Sequence, residues 1–379
     1  MILLKMRLLV VGDFFPSAHV ADLFAKKNFG SVFSEVRDVV SSADLAVVNL
    51  ECPVGGSTPI QKVGPCLQCG EEALEALRYA GFSCVTLANN HIRDYGDEGV
   101  RNTLEKTREY SLNSVGAGLN AAEASKFLVC EAGGIRVAII NCCEREFSIA
   151  GPGAAGACAL DPVAQYHSIQ EVREVADKVV VIVHGGYERC PFPSPRMAGT
   201  YKFFIDAGVD AVLNHHQHCY SGYEVYKGKP IFYGLGNFCF EPFGDEDRNW
   251  HEGYMVELTF SPSSADPSFR LIPFIQSLGE PSVRLMEGDE SRVFFERIAS
   301  LNDVILDPEA LVKAYEGFLD HQAPVYSRVF SPSGKAARIL GKAGITKPFL
   351  SKSKRLILRD YIACDSHREA LGHYLEKER

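Results

Sequence analysis

The chain has 379 residues, of which 46% are hydrophobic and 23% charged, a composition typical of a folded globular protein. Its formal net charge of −9 argues against a protein that relies on a broadly basic surface, so we expect no nucleic-acid partner. No apolar stretch reaches the ~18 residues that a membrane-spanning helix needs, and the 12 cysteines are too dispersed for a small disulfide scaffold. The apolar start, MILLKMRLLVVG, carries two cations and no small-residue cleavage site. We therefore expect no secretory signal, reduced thiols and a cytoplasmic location.

Short apolar runs alternate with helix-length polar segments along most of the chain. Runs such as RLLVVGDFF, ADLAVVNLE and KVVVIVHGG are rich in Val, Ile and Leu and alternate little, as strands buried on both faces do. GEEALEALRYAG and DEGVRNTLEKTREY place apolar residues at helical spacing. The pattern predicts an α/β protein, with antiparallel or mixed pairing from about Ser221 to Pro281, where the runs follow one another closely.

After about Gly288, apolar residues recur at helical spacing. We therefore predict one domain over residues 1–288 and a helical extension over 289–379. Asp307 followed by Pro308 predicts a helix start. Residues 331–334 predict a hinge before a segment with 11 Lys or Arg against 5 Asp or Glu. That basic segment could contact an anionic membrane or an acidic polymer, and the alternative is a solvated helical face.

Polar side chains that can bind metals follow five of the predicted strands. They are Asp13 after LLVVG, Glu51 after LAVVNL, Asn90 with His91 after VTLAN, His184 after VVVIV, and His216 with His218 after DAVLNH. The carboxyl ends of strands in an α/β sheet face a common crevice, so these residues can converge. Taken singly, each has an ordinary explanation as a turn or a core residue. Together they predict a site for two divalent ions, with mixed oxygen and nitrogen ligands that suit Mn, Fe or Zn.

The His-x-His pair is the most specific element of this set. In an extended segment, side chains two residues apart share a face. We therefore expect His216 and His218 to reach one site, and His215 and Gln217 to point away from it.

The ordered motifs GDFF, ADLAVVNLE, VTLANNHIRDYG, VIVHGGYE, GVDAVLNHHQH and YGLGNF cover about residues 6–260. In order and spacing the set resembles the poly-γ-glutamate capsule-synthesis (CapA-like, PGA_cap) family, a branch of the calcineurin-like metallophosphatases. The resemblance implies a four-layer α/β/β/α sandwich with two metal ions at its strand ends.

The resemblance also implies a role for each motif residue. One ion would be held by Asp13, Glu51 and His218, and the other by Asn90, His184 and His216, with Glu51 bridging. A hydroxide between the ions would attack phosphorus, His91 would protonate the leaving group, and Asp94 would orient His91.

Five further residues beside the motifs are predicted to contact the substrate or to support the site. They are Asn49, Arg93, Glu188, Arg189 and Asn237. Arg145 is an alternative to the other two arginines as the partner of the substrate anion, and a surface ion pair is an equal explanation for each arginine. For Asn237, the alternative is a turn.

Three positions depart from the family pattern. Phe15 stands where classical metallophosphatases have a histidine, Asn214 replaces the usual glycine of the His-rich motif, and Gln217 replaces the common proline. We expect one ion to be short of a ligand and weakly held.

Three functions remain open from the sequence. The first is a metal-dependent phosphoesterase acting on a small phosphorylated or cell-envelope-related substrate. The second is a component of poly-γ-glutamate or polysaccharide capsule assembly that handles an amide or a polymer. The third is a degenerate, non-catalytic binding protein.

Overall fold

The computed structural model describes residues 5–62, 64–242 and 248–329, together with residues 354–355, 357–358 and 362. The strands in these ranges are β1 (Met6–Phe15), β2 (Leu45–Leu50), β3 (Cys84–Thr86), β4 (Asn113–Val115), β5 (Ala117–Gly118), β6 (Leu128–Ala132), β7 (Ile135–Cys143), β8 (Gly156–Ala157), β9 (Lys178–His184), β10 (Ala211–His215), β11 (Tyr223–Tyr226), β12 (Lys229–Phe232), β13 (Asn237–Phe240), β14 (Glu252–Phe260), β15 (Ser268–Gln276) and β16 (Val283–Leu285). The helices are α1 (Ala18–Ala25), α2 (Gly30–Ser41), α3 (Glu72–Ala80), α4 (Gly96–Glu109), α5 (Ala121–Ala124), α6 (Pro162–Arg173), α7 (Pro195–Ala207), α8 (Arg248–His251), α9 (Gly288–Leu306) and α10 (Pro308–Val329).

The strands form two large sheets and one two-stranded sheet. The first large sheet has the order β16-β15-β14-β1-β2-β3-β4, and β13 also pairs with β1. Strands β1 to β4 are parallel, whereas β14 to β16 continue the sheet with antiparallel pairing. The second sheet has the order β11-β12-β10-β9-β7-β6, with four parallel central strands. The mixed pairing predicted after Ser221 is confirmed.

The two large sheets pack face to face between outer helices. Because side chains alternate along a strand, Leu8 and Val10 of β1 lie in one core with Ile139 of β7 and Ile182 of β9. Leu9, on the opposite face of β1, lies in the other core, which contains the buried side chains of α2 and α3. The helices α6 and α7 contact strands of the second sheet. The predicted four-layer α/β/β/α sandwich is confirmed.

The sequence fixes the starts of the two helices over the second sheet. The Asp161 side chain accepts hydrogen bonds from the backbone at the start of α6, and Ser194 does the same for α7. Proline occupies the first helical position in both helices, where its missing N–H costs nothing. Both helices lie in crossover connections between parallel strands of the second sheet: α6 between β7 and β9, and α7 between β9 and β10.

After β16, the described chain is helical in α9 and α10. It forms two compact units, Met1–Tyr315 and Glu316–Arg379. Helix α9 belongs to the first unit and buries Phe294, Ile298 and Ile305. The domain boundary predicted at residue 288 stays a prediction, and the hinge at 331–334 lies outside the described residues. Of the basic segment, only residues 354–355, 357–358 and 362 are described.

The helix start predicted at Pro308 is confirmed, because the Asp307 carboxylate accepts hydrogen bonds from the backbone of Glu309 and Ala310. Among the described residues, no helix combines the length and hydropathy that crossing a membrane requires.

Candidate metal centre

Polar side chains converge where parallel strands of the two sheets end. Asp13 lies near the end of β1, and Glu51 follows β2 directly. His184 and His215 are the last residues of β9 and β10. All four are buried, and the backbone N–H of His216 donates to Asp13 Oδ2 at 3.0 Å, so the two sheets meet at this point. Convergence at the carboxyl ends of strands is what the sequence predicted.

Among the described residues, three overlapping groups of side chains could each hold a cation. They are Glu51 with His184 and His216, Asp13 with Glu51 and His218, and Asp13 with His184 and His215. The first two groups share Glu51 and divide the histidines as the resemblance implied. The third contains His215, which the sequence had excluded.

The first of these groups is completed by Asn90. His184 Nε2 lies 3.0 Å from Asn90 Oδ1, 2.8 Å from His216 Nδ1 and 3.6 Å from Glu51 Oε1. Three other potential ligand atoms therefore lie within 3.6 Å of His184 Nε2. Bonds of about 2.0–2.2 Å to a zinc-like ion would place such atoms at comparable separations.

The second group is arranged around His218. His218 Nδ1 lies 2.8 Å from Asn237 Oδ1, and its Nε2 lies 4.0 Å from Glu51 Oε1. An amide oxygen can only accept, so Nδ1 carries the proton and Nε2 presents its lone pair. Asn237 reaches this position because β13 pairs in parallel with β1 and places Asn237 opposite Asp13. The structure puts Asn237 behind a ligand, and its predicted contact with substrate stays a prediction.

His215 does not point away from the site. Its Nδ1 lies 2.9 Å from Asp13 Oδ1 and 2.9 Å from His184 Nδ1, and the side chain is buried. The expectation was wrong because the segment is not extended: His216 and His218 have φ values of +109° and +55°. Non-glycine residues seldom adopt positive φ, and such positions cluster at functional sites. His215 thereby links two ligands, Asp13 and His184.

The charge state of the cluster fits a bound cation. Burial raises the pKa of Glu51 well above its ordinary value, with further contributions from Asp13, Glu188 and Glu146. Both Glu51 carboxylate oxygens are buried without a hydrogen-bond partner among the described residues. A buried carboxylate in that condition requires a proton or a metal ion.

Three of the other candidate ligands have the protonation states that metal binding needs. Burial lowers the pKa of His184 well below its ordinary value, and the nearby histidines lower it further. Burial also lowers the pKa of His218, against the raising effect of Asp13. Burial alone would raise the pKa of Asp13, but His215 and His218 lower it, so that this pKa lies below its ordinary value. Neutral imidazoles and an ionised carboxylate can bind a divalent cation.

His91 and Asp94 form the predicted pair, and a lysine joins them. His91 Nδ1 lies 2.6 Å from Asp94 Oδ2, so the opposite ring nitrogen, Nε2, is not engaged by Asp94. Lys62 Nζ forms an ion pair with Asp94 Oδ1 and lies 3.0 Å from His91 Nδ1. The sequence reasoning missed Lys62 because its surroundings, PIQKVGP, carry no periodicity or motif.

Glu146 is a second residue that the sequence reasoning missed. Its carboxylate lies 3.8 Å from His216 Nε2 and accepts a 3.4 Å hydrogen bond from Asn90 Nδ2. It follows β7, a parallel strand of the second sheet, so the strand-end rule that found the other ligands also applied here.

The remaining predicted residues lie in three different settings. Asn49 is fully buried and donates to Asp13 Oδ1 at 2.8 Å, which places it behind that carboxylate. Arg93 pairs with Asp97 on α4, and Arg145 pairs with Asp161 at 3.5 Å. Glu188 and Arg189 are exposed. Their predicted contacts with substrate stay predictions.

A cavity of about 320 Å³ opens beside the centre. Its lining includes His218, Arg189, Trp250 and Arg297. The Arg189 guanidinium lies 5.7 Å from the centre of the Trp250 ring, and that ring lies 4.8 Å from the His218 ring. His218 therefore borders both the cavity and the metal-binding groups.

The departures from the family pattern have local explanations. The Phe15 ring packs edge-on against Phe240 at 5.0 Å, so an apolar contact is formed at the sequence position of the family's histidine. The Asn214 amide nitrogen donates to the backbone oxygens of Gly185 and Tyr233 and to Gln217 Oε1. Asn214 thus joins the loop after β9 to the loops after β10 and β12, while the histidines remain in place.

The fold and the site define an α/β protein with a candidate metal centre of carboxylates, an amide and imidazoles at the strand ends of a four-layer sandwich. The chain belongs to the family described as bacterial capsule synthesis protein PGA_cap, whose model matches residues 7–242. That match includes every member of the three cation-binding groups, and it ends before α8 and α9.

Two curated relatives are similar over the same region. The chain is 32% identical to the capsule biosynthesis protein CapA of Bacillus anthracis over 247 residues, which cover 62% of this chain and 60% of that protein. It is 31% identical to the PGA biosynthesis protein CapA of Bacillus subtilis strain 168, covering 61% and 62%. The match therefore spans about three fifths of each relative. A solved structure titled a novel phosphatase from Mycoplasma pneumoniae has a TM-score of 0.45 at 15% identity, covering 72% of this chain and 95% of that one.

Proposed function

We propose that the protein is a metal-dependent phosphoesterase-type hydrolase. One observation carries the proposal: Glu51, fully buried and without a hydrogen-bond partner among the described residues, lies in two groups of potential ligands at once. A carboxylate in that position is suited to bridge two cations. Asp13 and His218 complete one group, and Asn90, His184 and His216 complete the other.

In this proposal the ions and the side chains have different roles in hydrolysis. Two divalent ions, when bound, supply a nucleophile at neutral pH and neutralise charge on the phosphoryl group. Asn237 holds His218 with its Nε2 toward the ligands. Asp94 fixes His91 through Nδ1, so that Nε2 can deliver a proton to the leaving oxygen. The cavity beside His218 offers space for the remainder of a small phosphorylated or cell-envelope-related substrate.

Purified protein tests the proposal directly. We expect bound metal after mild preparation and hydrolysis of phosphomonoesters or phosphodiesters in the presence of Mn²⁺. His216→Ala and Asp13→Asn should each lower kcat by at least about 10²-fold, as loss of a catalytic metal does. His167→Ala, an exposed histidine on α6, is the matched control and should retain activity. Bound metal without turnover of any phosphoester would contradict the proposal.

A second function is supported by the names of the relatives. Two relatives carry names that assign them to capsule or PGA biosynthesis. We propose as the alternative that this chain handles an amide or polymer substrate in capsule assembly. Glutamyl peptides offered to the metal-loaded protein distinguish the two: their cleavage or joining, with phosphoesters untouched, favours the alternative. A protein that binds no metal would favour a non-catalytic binding role.

A further inference from the structure

Lys62 is buried in a loop where a lysine would ordinarily be exposed. Its side chain is 3% exposed, although it belongs to the connection between β2 and α3. Lysine is rarely buried unless its charge is paired. Its position therefore has an energetic cost that a specific contact must offset.

The contact that pairs Lys62 is the carboxylate of Asp94. The Lys62 ammonium bonds Asp94 Oδ1, while Asp94 Oδ2 is 2.6 Å from His91 Nδ1 and accepts from the Leu67 backbone N–H at 2.7 Å. Asp94 itself is fully buried. Each carboxylate oxygen therefore has a fixed partner, and the plane of the carboxylate cannot rotate without breaking one of them.

The surrounding loop is attached to the same residue. The backbone N–H of Ile60 donates to the backbone oxygen of Asp94 at 2.9 Å. Residues on both sides of Lys62, Ile60 and Leu67, thus bond Asp94. The loop therefore holds Lys62 at Asp94 Oδ1, the carboxylate oxygen that His91 does not contact.

We propose that Lys62 is a positioning residue for leaving-group protonation. It fixes Asp94, and Asp94 in turn fixes His91 with Nε2 toward the reacting group. Lys62 also lies 3.0 Å from His91 Nδ1 and so limits the movement of the ring on that side. The inference rests on the phosphoester hydrolysis proposed above and assigns it a residue outside the family motifs.

Leaving-group dependence tests this role. Aryl phosphates with poor leaving groups, such as phenyl phosphate, need the acid, whereas 2,4-dinitrophenyl phosphate does not. For Lys62→Met we expect kcat on phenyl phosphate to fall by about 10²-fold, within the range for lost acid catalysis. On 2,4-dinitrophenyl phosphate, kcat should change less than about threefold. KM should stay unchanged for both esters. His91→Gln should reproduce this contrast. Lys62→Arg should have a kcat on phenyl phosphate at least about tenfold higher than that of Lys62→Met.

Lys106→Met is the control for removal of a lysine, because Lys106 is paired with Glu71 and Glu109 on the surface. It should match the unsubstituted protein on both esters. If Lys62→Met does not fold, Lys62→Gln, which keeps an N–H donor for Asp94 but removes the charge, is measured in its place, and a smaller loss on phenyl phosphate with none on 2,4-dinitrophenyl phosphate is expected. Equal losses on both esters, or no loss on either, would overturn the role of Lys62. An unsubstituted protein that binds metal but hydrolyses no phosphoester would instead overturn the proposed function, and this inference with it.

Discussion

Replacing Glu51 with Gln tests the metal centre through stability, without reference to turnover. Burial raises the pKa of Glu51 well above its ordinary value in the metal-free protein. The folded state therefore holds a proton that the unfolded state releases near pH 4.5. Stability then falls as pH rises from the unfolded pKa toward the folded one, by about 1.4 kcal/mol for each pH unit in that window. An amide does not titrate, so metal-free Glu51→Gln should lack this loss.

Bound metal should make the unsubstituted protein more stable than Glu51→Gln, the reverse of what we expect above pH 4.5 without metal. A ligand at 100 times its Kd stabilises the folded state by about 2.7 kcal/mol. By the scaling for domains of 150–250 residues, this corresponds to a rise in Tm of roughly 5–10 °C. Because Glu51 belongs to both predicted ion sites, Glu51→Gln should lose most of that rise.

Thermal unfolding between pH 4.5 and 8, with EDTA and then with Mn²⁺ or Zn²⁺, measures both effects. Glu105→Gln, an exposed position on α4, is the matched control and should follow the unsubstituted protein throughout. The reasoning fails if metal-free Glu51→Gln and the unsubstituted protein show the same pH dependence. It also fails if metal raises the Tm of Glu51→Gln as much as that of the unsubstituted protein.

Three further substitutions act on individual ligands, and each is measured by metal titration. His215→Ala should weaken binding by about 10–100-fold, the usual cost of losing a residue that orients a ligand, because His184 loses its Nδ1 partner. Asn237→Leu should weaken binding by a similar factor at the ion bound by His218 only, which a two-site titration resolves, and an equal effect at both sites would contradict the assignment. Phe15→His should tighten the weaker site by at least about tenfold, or 1.4 kcal/mol; unchanged affinity would show that the missing histidine is not what limits that site.

The arrangement of the centre was predictable to the extent that it follows from parallel strands. Asp13, Glu51 and His184 each end or follow a short apolar run, and parallel pairing brings such positions to one edge of a sheet. The layers of the fold follow from the same runs, because strands that are apolar on both faces require a covering layer on each side. Neither inference needed side-chain detail.

His215 shows where this reasoning ends. The two-residue periodicity applies only while the backbone stays extended, and β10 stops at His215. The positive φ of His216 then turns the chain, so that three histidines face the site instead of two. Nothing in the letters HHQH marks that turn, since histidine has no strong preference for such a conformation over an extended one.

Lys62 and Glu146 were missed for a related reason. Each acts on a residue that the sequence did identify, Lys62 on Asp94 and Glu146 on Asn90 and His216. Their partners are 32 to 70 positions away in the chain, and the contacts exist only once the sheets have packed. Direct ligands were found because they follow strands. Lys62 and Glu146 lie in loops, where their positions depend on the folded environment.

The two predicted ion sites differ in their number of candidate ligands, so we expect them to fill in a definite order. The site of Asn90, His184 and His216 has three ligands besides the bridge, and Glu146 lies 3.8 Å from His216. The site of Asp13 and His218 would have two, and Phe15, at the sequence position of the family's histidine, packs against Phe240 instead. Affinity rises with the number and rigidity of ligands. Stepwise titration should therefore fill the Asn90 site first, and hydrolysis should appear only as the second ion binds.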